Sequence, residues 1–77
     1  MTWIRQKLAS CGDRIACHEA GKAWSYAEFI KLIDHATTQV PNKGAAVIEV
    51  QTPTTIEGLA MILAIGEAGH IALPLPP

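Results

Sequence analysis

Residues 45–73 read AAVIEVQTPTTIEGLAMILAIGEAGHIAL, and their pattern decides the fold. The stretch opens on a compact apolar run, Ala45 to Val50, in which Val47, Ile48 and Val50 point to both faces of an extended chain. A run without clean alternation suits a strand covered on both sides, as in a parallel sheet. From Thr54 to Ala68 the chain is apolar nearly all round, through Ile56, Leu59, Ala60, Met61, Ile62, Leu63, Ala64 and Ile65. That pattern predicts a helix buried on most of its sides. Two caps fit its start: Thr52 with Pro53 at the first helical position, or Thr54 with Glu57 as its box partner. Gly69 breaks the helix, and Ile71–Leu73 makes a second short strand that Pro74, Pro76 and Pro77 stop. Strand, helix and strand together predict a parallel β-α-β unit with a right-handed crossover.

Upstream, Ser25-Tyr26-Ala27-Glu28 has the form of a capping box, with the Ser25 hydroxyl and the Glu28 carboxylate each placed to bond the other's backbone N–H. Phe29, Ile30, Ile33, Ala36 and Val40 follow at helical spacing, with Lys31, Asp34 and His35 mostly opposite, so a helix is predicted from about Tyr26 to Gln39. Pro41 cannot continue it, and Asn42-Lys43-Gly44 supplies a turn. Arg14–Glu19 and Ala23–Tyr26 form the arms of a predicted hairpin around Ala20-Gly21-Lys22, a turn with neither Asn-Gly nor Asp-Gly. Thr2–Ser10 carries a partial helical stripe of Trp3, Ile4 and Leu8. The expected class is α/β: N-terminal helix, β-hairpin, helix, then a parallel β-α-β unit, within a partial three-layer arrangement. The three parts, 1–13, 14–44 and 45–77, make one small domain or a fragment of one.

Composition narrows the function. Of 77 residues, 49% are apolar and 17% charged, against about 25% charged in ordinary globular domains. A chain this short buries roughly 60% of its unfolded surface, so much of the apolar material is expected to face a partner. That partner is either the remainder of a larger enzyme or a second copy docking through the apolar helix. Six basic and seven acidic residues nearly cancel, and no basic stripe grips a phosphate backbone, which disfavours nucleic acid. The longest apolar stretch, 58–66, is about half a bilayer span, and no secretory leader is evident. Cys11 and Cys17 do not make a disulfide framework, and a cytoplasmic location is the expectation.

Candidate sites are sparse. The glycines fit neither dinucleotide nor phosphate-loop spacing. Gln51-Thr52-Pro53-Thr54 lies at the C-terminal end of a strand, where open α/β sheets bind ligands, and its hydroxyls and free N–H groups fit an anion. Structural capping is the simpler reading. Cys11, Cys17 and His18 lack the paired spacing and the fourth ligand of a zinc site, and His18 points away from Cys17 in a strand. Glu67 and His70 read as solvent-facing groups at a helix exit, and His35 as a surface residue. Glu49 is a carboxylate inside a covered strand, in want of a partner. Trp24 and Tyr26 read as packing aromatics that lock the following helix. No residue is assigned a catalytic, cofactor-binding or metal-binding role.

The order of elements resembles a known family. Trp24-Ser25-Tyr26-Ala27-Glu28-Phe29 is similar to the Y-T-Y-x-E-L signature near the start of the AMP-binding, acyl- and aminoacyl-adenylate-forming synthetases and ligases. Residues 45–50 resemble that family's G-D-x-V-A-I strand, and residues 57–75 resemble its E-x-x-x-A-x-L-A-x-x-x-A-G-A-x-x-V-P-L segment. Lys43-Gly44 stands in place of part of the usual G-D, His70 where a small residue is usual, and Pro76-Pro77 in place of D-P. The resemblance implies an enzyme that activates a carboxylic acid with ATP and magnesium to an acyl-adenylate, in many members passed on to a coenzyme A or carrier-protein thiol. It also implies that the phosphate loop and the catalytic lysine lie downstream of these residues. This segment would then be scaffold, with no activity by itself. Two other readings stand beside it: a free-standing interaction or dimerisation module derived from that family, and an unrelated small α/β domain.

Overall fold

The computed structural model describes residues 2–41, 44–51 and 54–75. Its elements are α1 (Thr2–Cys11), β1 (Ile15–Glu19), β2 (Lys22–Ser25), α2 (Tyr26–Thr37), β3 (Val47–Val50), α3 (Ile56–Glu67) and β4 (Ile71–Pro74). This is the expected α/β order. β1 and β2 pair antiparallel, and β3 and β4 pair parallel across α3. The two pairs are separate two-stranded sheets.

Local chemistry explains most of the boundaries. The capping box at α2 forms as read: the Glu28 N–H donates to Ser25 Oγ at 3.1 Å and the Ser25 N–H donates to Glu28 Oε1 at 3.0 Å. Two further N–H groups at this end, on Tyr26 and Ala27, donate to the Arg14 and Gly12 carbonyls of the α1–β1 connection. Between β1 and β2 the chain reverses over Ala20 and Gly21, at φ 54° and 77°. Positive φ at both central residues is the mark of a type I′ turn, whose twist matches that of the strands it joins. The helix exit at α3 is a Schellman motif. The His70 N–H donates to the Ile65 carbonyl, the Gly69 N–H donates to the Gly66 carbonyl, and Gly69 takes φ 83°.

The core lies between α2 and α3. Phe29, Ile33 and Ala36 on α2 meet Ile56, Ala60 and Ala64 on α3, with Leu8, Cys17, Trp24, Leu32, Val40, Met61 and Leu63 packed around them. Alanine at two successive turns of α3 lets the helices approach closely. Arg5 fastens α1 to both. Its Nε and terminal nitrogens reach Glu67 Oε2 and Oε1 at 2.7 Å each and Asp34 Oδ1 at 2.8 Å.

Three expectations need correction. Neither proposed cap of α3 is used: the cap is Thr55, whose Oγ1 accepts from the Gly58 N–H at 2.9 Å. Thr52, Pro53 and the Asn42-Lys43 part of the preceding turn lie outside the described residues. Strand β3 is not covered on both sides. Val47 is 62% exposed and Glu49 is exposed, whereas Val50 is 5% exposed. Glu67 and His70 do not face solvent as a loose helix end. Glu67 is bound to Arg5 and His70 is buried.

Candidate interaction surface

The β3–β4 sheet has two unlike faces. In register, Val47 pairs with Ile71, Ile48 with Ala72, Glu49 with Leu73 and Val50 with Pro74. Paired residues share a face and neighbours along a strand alternate. Ile48, Val50 and Ala72 therefore lie together, and they are half-buried or buried; this is the side on which α3 packs. Val47, Glu49, Ile71 and Leu73 lie on the other side, and all four are exposed, with Ile71 at 63% and Leu73 at 44%. A parallel sheet is ordinarily covered on both faces. Here three branched apolar side chains and a carboxylate stand open to water. Among the described residues Glu49 makes no ion pair and no side-chain hydrogen bond.

A second apolar opening runs beside the hairpin. Ala16, Cys17, Tyr26, Phe29, Ile56 and Leu59 line a groove of about 150 Å³, with Leu59 itself 48% exposed. Between α2 and α3 a larger cleft of about 240 Å³ has an apolar floor and a polar rim of His35, Gln39 and Glu57. His35 is exposed and its Nε2 accepts from Gln39 Nε2 at 3.3 Å.

Among the described residues of the strand-to-helix junction, the start of α3 is already engaged. The Glu19 carboxylate accepts from the Ile56 N–H at 2.7 Å, and Thr55 Oγ1 takes the Gly58 N–H. An internal carboxylate thus occupies the positive end of α3 and would repel a phosphate. Sequence reading missed Glu19 because its partner lies 37 residues away. Cys17 is half-buried against the core, while His18 is exposed on the next residue. The Cys11 thiol lies 3.5 Å from the Lys7 carbonyl oxygen. Among the described residues no group of three or more metal-ligating side chains converges. Trp24 and Tyr26 stand where packing aromatics belong: Trp24 abuts the core with the Lys22 ammonium 4.1 Å from its ring centre, and Tyr26 lines the hairpin groove.

Electrostatics reinforce structure. The hydrogen bond from Arg5 holds the Glu67 carboxyl below the usual carboxylate range, and the same pair raises Arg5 further. Glu28 is also lowered, first by the Ser25 backbone N–H and then by Lys22.

Over 74 residues the chain is 31% identical to the nonribosomal peptide synthetase dtxS1 of Metarhizium robertsii. The chain is similar to a short segment of a peptide synthetase. The match takes in 92% of this chain and about 1% of that protein's length. No protein-family model matches, and no solved structure matches. Among the described residues no helix is long and apolar enough to cross a membrane.

Proposed function

We propose that this chain is a scaffold segment of an ATP-dependent, carboxylate-adenylating ligase, covered in the working enzyme by further parts of that protein. The observation that carries the scaffold reading is the bare face of β3–β4: Val47, Ile71 and Leu73 are exposed on a parallel sheet whose other face is packed. The similarity to a synthetase segment supports the class of enzyme, and the resemblance of residues 24–29 and 57–75 to adenylate-forming signatures supports its adenylating part. Among the described residues, the start of α3 does not fit the phosphates of ATP. The N-terminus of α3 is filled by Glu19 and Thr55, and the sequence holds no glycine-rich phosphate loop. The segment's contribution is therefore positional: a β-α-β unit and a two-helix core against which catalytic parts are set.

The test is ATP–pyrophosphate exchange with the isolated chain and with the longest protein its reading frame encodes. Exchange by the long protein and none by the 77 residues is the expected result. Exchange by the isolated chain would overturn the scaffold reading. A long protein that is folded yet inactive with every amino and carboxylic acid would overturn the ligase reading. The free-standing module is favoured by one specific observation, the exposed Leu59 beside an apolar groove. It predicts a concentration-dependent dimer that Leu59→Lys dissociates.

A further inference from the structure

The exit of α3 dictates where residue 70 goes. Gly69 turns the chain, the His70 N–H is tied to the Ile65 carbonyl, and Ile71 then faces water. By alternation the His70 side chain lies on the packed side of β4, where it is 6% exposed. Both ring nitrogens meet backbone groups of the connection between α2 and β3. The Ala46 N–H donates to Nδ1 at 3.0 Å, and Nε2 is 2.7 Å from the Pro41 carbonyl oxygen. An amide N–H only donates and a carbonyl oxygen only accepts. These partners therefore select one state of the ring, neutral with its proton on Nε2 and a lone pair on Nδ1. Ala46 is held from its other side as well, its carbonyl accepting from the Ile71 N–H at 2.9 Å.

We propose that His70 is a proton-operated clasp on the connection that leads into β3. A proton taken from solvent onto Nδ1 converts the acceptor into a second donor, aimed at the Ala46 N–H, and that hydrogen bond breaks. The bond from Nε2 to Pro41 survives. Opening is therefore one-sided: Nε2 keeps the Pro41 carbonyl and the Ala46 carbonyl keeps the Ile71 N–H, while the Ala46 N–H loses its acceptor. Among the described residues, the ionisable groups of the surrounding elements are engaged elsewhere or turned away. Glu67 of α3 and Asp34 of α2 are both held by Arg5 of α1, and His35 of α2 is exposed and bonded to Gln39. Glu49 of β3 lies on the opposite face of the sheet. Lys43 lies outside the described residues.

The experiment is nuclear magnetic resonance on the 77-residue chain, titrated from about pH 8 downward until the His70 ring signals report the charged imidazole. At the upper limit the His70 imidazole is expected as the Nε2–H tautomer and the Ala46 amide as slowly exchanging. At the lower limit Ala46 protection, corrected for intrinsic exchange, should fall on the order of tenfold, the scale of one backbone hydrogen bond. Protection in β1–β2 should hold. His18→Gln and His35→Gln should keep the response, and His70→Gln should abolish it. Should His70→Gln fail to fold, the tautomer of the native ring still decides. An Nδ1–H tautomer at high pH, equal Ala46 protection at both limits, or a response removed by His18→Gln or His35→Gln would each overturn the clasp.

Discussion

The carboxylate of Glu19, at the end of β1, accepts a 2.7 Å hydrogen bond from the backbone N–H of Ile56, the first residue of α3. It is the point at which the hairpin is fastened to the β-α-β unit. A helix N-terminus carries unpaired N–H groups and a partial positive charge, so a carboxylate there satisfies both demands. Glu19→Ala removes the acceptor while Thr55 keeps its own bond. The expected loss is about 1–2 kcal/mol of stability, read from urea unfolding. Glu19→Gln, which can still accept but carries no charge, should lose less. Equal stability in all three proteins would show that the contact is incidental.

Ala20 sits at φ 54°, in the left-handed region, with Gly21 beside it. An alanine side chain there costs about 1–2 kcal/mol, which asparagine and glycine largely escape. Ala20→Asn creates the Asn-Gly pair that type I′ turns favour. It should stabilise the chain by roughly 0.5–1 kcal/mol and raise its melting temperature. Unchanged or lowered stability would mean that the hairpin turns differently.

How far the sequence could be read is clearest at the two helix starts. At α2 the cap is legible because Ser25 and Glu28 bond each other within one turn. At α3 the sequence offered two caps, Thr52 and Thr54. The cap falls on Thr55, and the next N–H, that of Ile56, goes to the distant Glu19. The same division holds at the other end of α3. The glycine exit at Gly69 is a local signal, whereas the burial of His70 depends on backbone groups 24 and 29 residues away. The apolar run of β3 correctly indicated a parallel sheet, but it could not report that one face lacks a cover. The apolar pattern places the exposed apolar surface on α3, whereas a large share of it lies on the sheet, at Val47, Ile71 and Leu73.

Ala64 is fully buried against α2. A larger side chain there has no room without separating the helices. Ala64→Leu should lower stability by about 1–3 kcal/mol, measured by denaturant unfolding, whereas Leu59→Ser on the exposed side should change it by less than about 0.5 kcal/mol. Similar effects at the two positions would contradict the assigned faces of α3.

Acid should weaken the tie between α1 and the helix pair. Folding lowers the pKa of Glu67, chiefly through the hydrogen bond from Arg5. A group whose pKa is depressed in the folded state contributes stability above its unfolded value, and that contribution is lost as pH falls through the folded value. Glu67→Gln should therefore cost about 1 kcal/mol near neutrality. The difference from the native protein should shrink as pH drops below the ordinary glutamate value of 4.5. A gap that widened in acid would have the wrong sign.

Whether the β3–β4 face is covered in the working protein is read by residue-level covalent footprinting of Val47, Ile71 and Leu73. It compares the isolated 77 residues with the same segment in the full protein purified from its natural source. Strong labelling of all three in the isolated chain, and protection in the full protein, is the result that a scaffold with a bare sheet face requires. Equal labelling in both would mean that nothing covers this face, and the scaffold reading would fall.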